Sequence, residues 1–261
     1  MINTYATIGG MDDHTVTGRV VAVLDAVAAL DDAATLAALT RRTGIPKPTV
    51  RRIASDLVTR GLLVRHADRY QLGPRLLEFT SHAARQQGIR HAAIPHVQDL
   101  FARTGEIVWV SAFTDTSNAL LHSAFGTNRA ADMQRPWPNA IRSPGFLTTA
   151  AGRILLTDRP ELAEHLHTRS LPRLTPYTLT HPAKIATAIK TARDTGIAIE
   201  HEESLLGYSC IAAGVRGPDQ RVIGVIGVLG RVGNFTAERL TRPLLAAAAD
   251  VEHTLRQTQT T

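Results

Sequence analysis

Apolar side chains recur at helical spacing from Arg19, where Val20, Val23, Leu24, Val27 and Leu30 predict a first helix that stops near Asp31-Asp32. Residues 1–17 lack that periodicity and read as a frayed tail. A second helix is predicted from Thr35, an N-cap, with Leu36 and Leu39 inward and a stop at Gly44. After the turn Thr43-Gly44-Ile45-Pro46 comes a third, with Pro46 or Pro48 in its first turn, where a missing N–H is harmless. Its inward stripe is Val50, Ile53, Ala54 and Leu57, which leaves Lys47, Thr49, Arg51, Arg52 and Ser55 outward or flanking. Two short helices joined by a glycine-containing turn of this length form a helix-turn-helix. Beyond Gly61 the pattern switches to alternation, predicting strands Leu62–Arg65 and Arg69–Leu72 around Ala67-Asp68. A basic hairpin directly after such a helix is a wing.

Pro74 restarts helical spacing as far as Gly88, a linker helix between two domains, and another helix runs from Arg90 to Arg103. Strands follow at 106–114 and 118–125, then an irregular stretch, 126–145, that holds Pro136, Trp137, Pro138 and Pro144. Loops of that length are often binding lids. A helix is predicted from about Gly145, with others near Pro160–His167 and Pro182–Thr195. Strands at 196–203, 208–216 and 220–230 and a last helix from about Thr236 complete the chain. The pattern predicts an α+β protein: a winged helix-turn-helix over 18–73, the linker helix over 74–90, and a second domain over 91–261. In that domain an antiparallel sheet, with helices on one side, encloses a small-molecule pocket.

Charge sharpens the division. Of 261 residues, 20% are charged and 44% hydrophobic, so neither disorder nor a meagre core is indicated. Between Arg41 and Arg75 lie nine basic residues and two acids, +7, while the rest of the chain carries 20 and 21, or −1. The whole positive excess therefore sits on the helix-turn-helix and wing, the footprint of a polyanion partner. A single cysteine, Cys210, excludes a disulfide framework and fits a reducing cytosol. The start, MINTYATIGGMDDHTV, is no signal peptide, and no long uninterrupted apolar run suggests a membrane span. A cytoplasmic protein is expected.

These residues resemble a known family. G-I-P-K-P-T-V-R-R-I-A-S-D-L, followed by R-G-L-L and R-Y-Q-L-G-P-R-L-L, is similar to the DNA-binding domain of IclR-family transcriptional regulators. T-A-A-G-R-I-L-L (149–156), L-T-P-Y-T-L-T (174–180), the 193–203 stretch and G-Y-S-C-I-A-A-G-V (207–215) match the second half in order and spacing. The resemblance covers about residues 19–257. It implies a GAF-like effector domain and a dimer, or dimer of dimers, on palindromic double-stranded operators, with no cofactor.

Carried over residue by residue, the resemblance places DNA contacts at Lys47, Pro48, Thr49, Arg51, Arg52 and Ser55, with Arg65 and Arg69 of the wing on phosphates. Pro48 stands where the family has serine and gives up a hydroxyl. Arg52 matches the family arginine, whereas Arg51 occupies a variable position suited to reading a base. In the effector domain the matching positions are Ala150, Ala151, Glu200, Cys210, Gly227 and Leu229. Tyr208, Met133 and Trp137 would add bulk or aromatic surface. Gly227 and Leu229 stand where oxoacid sensors carry serines, so a larger, more apolar effector is expected, or none.

Other chemistries fit less well. Cys210 with His201 could suggest a thiol nucleophile, but Cys210 sits inside an apolar strand, where cysteine is normally a small core residue. His165 and His167 with Glu161 or Glu164 match no metal-site spacing. Glu200, His201, Glu202 and Glu203 alternate along a strand, so they face opposite sides. Gly224, Gly227 and Gly230 lie in a β-run with no helix opening after it, unlike a phosphate loop. A ligand-responsive regulator is the reading; an effector-independent regulator, or a small-molecule enzyme with an incidental basic helix pair, are the alternatives.

Overall fold

The computed structural model describes residues 15–79 and 88–258, apart from 116, 134, 136, 140, 142, 168–170 and 234. The expected tail, up to residue 14, and residues 80–87 of the expected linker helix lie outside the described residues. The chain forms two compact units, residues 1–83 and 84–261. Among the described residues no helix is long and apolar enough to cross a membrane.

In the first unit, α1 spans Val16–Leu30, α2 Leu36–Thr43 and α3 Lys47–Thr59. α1 opens three residues before the expected Arg19, because the Thr15 hydroxyl accepts the Gly18 N–H at 2.9 Å. Val16 is 80% exposed, so no apolar periodicity marks that first turn. Thr35 caps α2 in the same way, accepting from Ala38 N–H. Gly44 closes α2 at φ 70°, a left-handed conformation that favours glycine. The Pro46 carbonyl then accepts from the Thr49 and Val50 N–H groups, starting α3 with Pro48 in its first turn. Val50, Ala54 and Leu57 are buried with Val23, Val27, Leu39 and Leu63, while Ile53 is half-buried at the margin. The hairpin β1 (Leu63–His66) and β2 (Arg69–Leu72) turns through Ala67 at φ 55°. Tyr70 buries its ring in the core and donates its N–H to the Ala34 carbonyl, so the wing is tied to the α1–α2 connection.

The second unit is built on a five-stranded antiparallel sheet ordered β4-β3-β7-β6-β5. The strands are β3 Ile107–Phe113, β4 Asn118–Ala124, β5 Ile197–His201, β6 Tyr208–Arg216 and β7 Val222–Arg231. Helices cover both faces, not one. Val108, Val110, Ile211, Ala213, Ile226 and Val228 face α4 (Ile89–Thr104) and the final helix, α7 (Ala237–Thr258). Ile107, Cys210, Ala212, Val225 and Leu229 face α5 (Ala150–Asp158) and α6 (Pro182–Thr195). The central strands explain the second layer: residues 208–213 and 225–230 are buried without interruption, so both faces need an apolar cover. β5 stops at His201, where Glu202 turns through φ 53°.

The helix expected from about Gly145 is broken in two, Pro144–Leu147 and α5. Thr149 is extended at the break, and its hydroxyl accepts from Gly152 N–H at 3.1 Å. Gly152 permits the close stacking of the two pieces, since a Cβ there would sit 2.2 Å from the Phe146 carbonyl oxygen. The break leaves the first turn of α5 at the mouth of a cavity.

Candidate functional site

Two regions concentrate chemistry, one in each unit. In the first, Lys47, Arg51 and Ser55 fall four residues apart on α3 and so share one stripe. With Thr35, Leu36 and Ala37 of α2 and Arg65, Asp68 and Tyr70 of the wing they border a groove of about 580 Å³. Pro48 and Arg52 are exposed beside this stripe, outside the groove lining, and Thr49 is half-buried. With prolines at 46 and 48, Lys47 holds the one N–H among the first three residues of this helix end. Anion binding there falls on side chains. Both wing arginines already serve the module: Arg65 Nε donates to the Ala67 carbonyl and its guanidinium lies 5.8 Å over the Tyr70 ring. Arg69 Nη1 donates to the Asp32 carbonyl at 2.9 Å. Each keeps further N–H donors on an exposed side chain.

In the second unit, a cavity of about 330 Å³ lies between the sheet and the α5 layer. Met133, Trp137, Ala150, Ala151, Glu200, Cys210 and Leu229 line it, as expected from the sequence. Tyr208 and Gly227 do not. Tyr208 stands behind the wall, its ring edge-on to Trp137 at 6.2 Å. Its hydroxyl donates to Asp132 Oδ1 at 2.5 Å. Gly227 pairs with Trp109 across β3 and β7, and a Cβ on it would lie 2.4 Å from the indole. Trp109 occupies the space beside Gly227, and its indole, not the glycine, lines the cavity.

Sequence reasoning also missed Ser111, Asn118, Phe146, Thr149 and Ser204 in the lining. The alternation of β3 puts Trp109 and Ser111 on one face, but no residue pattern says which face meets the cavity.

The polar groups are few and engaged. Glu200, buried, accepts from Ala150 N–H at 3.1 Å and from Ser204 Oγ at 2.6 Å. Burial pushes its carboxyl up, against the opposing pull of Ser204, the Arg153 charge and Ala150 N–H. Arg153, also buried, donates to the Ile199 carbonyl and pairs with Glu203, which fixes the backbone on either side of Glu200. Burial, with the nearby Glu200, likewise pushes the Cys210 thiol well up, so a thiolate nucleophile is disfavoured. His201 is turned away on the other side of β5, with Nδ1 3.1 Å from Ser209 Oγ. Among the described residues no group of three or more His, Cys, Asp or Glu could hold a metal ion.

Behind Trp137 lies an ionic cluster. Asp132 pairs with Arg129 at 2.7 Å and Arg231 at 3.3 Å, and Arg129 reaches Glu106 at 3.0 Å. Burial would push the Asp132 carboxyl up, but the hydrogen bonds from Tyr208, Arg129 and Arg231 outweigh it and hold its pKa at about 2. The 127–133 segment is therefore pinned to β3, β6 and β7, and with it the Met133 side of the cavity.

A family model described as "Bacterial transcriptional regulator IclR C-terminal" matches residues 81–253, and one described as "IclR helix-turn-helix domain" matches residues 16–67. The chain is 27% identical over 219 residues to the HTH-type transcriptional regulator KipR of Bacillus subtilis, covering 79% of this chain and 82% of that one. It is 27% identical over 259 residues to the Pca regulon regulatory protein of Pseudomonas putida, covering 96% and 87%. Its fold matches the crystal structure of an IclR homolog complexed with 4-hydroxybenzoate from Microbacterium hydrocarbonoxydans. There the TM-score is 0.77 at 23% identity, over 93% of this chain and 100% of that one.

Proposed function

The chain belongs to the IclR family of bacterial transcriptional regulators, and from that premise we propose how its residues divide the work. The exposed stripe of α3 enters the major groove of duplex DNA while the wing arginines follow the flanking phosphates. Arg51 reads a base and Arg52 holds the backbone. The cavity beside α5 takes a small, largely apolar effector, and a homodimer or dimer of dimers engages a palindromic operator in the cytoplasm. Functional boundaries follow at 18–73 for DNA binding, 74–90 for the linker and 91–261 for effector binding and assembly.

The observation that carries the DNA assignment is that the positive excess, +7 between Arg41 and Arg75, coincides with the groove bordered by Lys47, Arg51 and Arg65. A gel-shift series tests it. Affinity should fall steeply with salt, with a log–log slope of about −0.9 per phosphate contacted. Arg51→Ala should relax preference at one operator position by about 1–3 kcal/mol. Arg52→Ala should weaken all sequences alike and lower the salt slope by about one. Uniform weakening by Arg51→Ala would make it a phosphate contact instead.

A further inference from the structure

We propose that the effector is an elongated, uncharged ring compound carrying a hydrogen-bonding group at each end, an inference that rests on the cavity being the effector site. Every strand of the sheet contributes to the lining, from Asn118 on β4 through Trp109, Leu229 and Cys210 to Glu200 on β5. β4 and β5 are the two edges of the sheet, four strand spacings apart, which is about 19 Å between backbones. The polar groups gather at those edges. At the β4 end, Asn118 Oδ1 accepts from Ser111 Oγ at 2.5 Å, which leaves the Asn118 amide donors free to meet a ligand. At the β5 end stands Glu200 with Ser204. Between the two ends Trp109, Trp137, Phe146 and Leu229 form apolar walls.

Charge is excluded by what surrounds each end. Among the described residues no lysine, arginine or histidine lines the cavity. Two N–H groups of the first turn of α5 are already used, Ala150 N–H by Glu200 and Gly152 N–H by Thr149 Oγ1, so an anion there would be left with Ala151 N–H beside the Glu200 carboxyl. A carboxylate at this end would meet the Glu200 carboxyl, and at the Asn118 end it would find no cation among the described lining residues. An ammonium group gains little at Glu200, because both carboxyl oxygens already accept hydrogen bonds and the Arg153 charge already acts on the carboxyl.

Calorimetric titration of the full chain with four probes tests the proposal: biphenyl-4,4′-diol, 4′-hydroxybiphenyl-4-carboxylate, 4′-(aminomethyl)biphenyl-4-ol and phenol. The diol should bind at least roughly tenfold tighter than any of the other three, a ratio equal to about 1.4 kcal/mol. A carboxylate or amine that binds as tightly as the diol overturns the uncharged class, and phenol matching the diol overturns the two-ended one. Glu200→Gln, which removes the charge and keeps the shape, should keep diol affinity within roughly threefold; loss beyond roughly tenfold overturns the neutral reading. Trp137→Ala should weaken the diol. Should no probe bind, or should Trp137→Ala leave diol binding intact, the effector site itself lies elsewhere and this inference falls with it.

Discussion

Adding one methyl group at residue 227 should close the cavity without touching the DNA-binding face. Gly227 lies opposite Trp109 in the β3–β7 pairing, and the Cβ of Gly227→Ala would sit 2.4 Å from Cζ2 and 2.6 Å from Cε2 of the indole. Ordinary carbon contacts are about 3.5–4.0 Å, so the ring must move by more than about 1 Å. Two strands and their hydrogen bonds fix the backbone, and the open direction for the ring is the cavity of about 330 Å³ that it lines. Overpacking of this kind costs about 1–3 kcal/mol; with free space to receive the indole, the low half, about 1–2 kcal/mol, is expected. For a unit the size of residues 84–261 that lowers Tm by about 2–8 °C. Affinity for a cavity ligand should fall at least roughly tenfold, one such step being about 1.4 kcal/mol, while operator affinity without ligand stays unchanged. A double-mutant cycle isolates the cause: in a Trp109→Ala background, Gly227→Ala should cost about 0 kcal/mol, because the clashing ring is gone. Calorimetric unfolding and ligand titration of the four proteins measure both quantities. Equal costs in the two backgrounds would refute the claim that Gly227 exists to seat Trp109.

Three further outcomes follow from other contacts. Asp132→Asn strips the half-buried Arg129 of one carboxylate and should destabilise the second unit by about 3 kcal/mol at neutral pH, by urea unfolding. Because the folded Asp132 pKa of about 2 lies below the unfolded value of about 3.9, its contribution is complete above pH ~4 and disappears as pH falls toward ~2. The gap between wild type and Asp132→Asn should therefore narrow across that window; a constant gap would refute the ion-pair account. Thr149→Ala removes the α5 cap and should cost about 1 kcal/mol, and Thr149→Ser should restore most of it, both read by thermal unfolding.

Much of the architecture was legible in the residues because it depends on local chemistry. Thr35, Gly44 and Pro46 fix the ends of α2 and the start of α3 through capping, left-handed backbone and a missing N–H. Apolar spacing picks out the buried Val50, Ala54 and Leu57 and, by elimination, the exposed Lys47, Arg51 and Ser55. The strands β6 and β7 are also plain, but their near-continuous apolar runs needed two helical layers where one was expected. Of the six pocket positions inferred by resemblance all but Gly227 line the cavity, and of the three added for bulk Met133 and Trp137 do. The sequence by itself thus determined the order and type of most elements and where positive charge gathers. The tertiary structure alone decided that Trp109 rests on Gly227, that Tyr208 braces Trp137 through Asp132, and that Asn118 and Glu200 stand at opposite ends of one cavity. Those contacts join residues 71 to 118 positions apart along the chain, or the two edges of a sheet. No local spacing rule reaches that far: strand order and side-chain packing arise from burying the whole core at once.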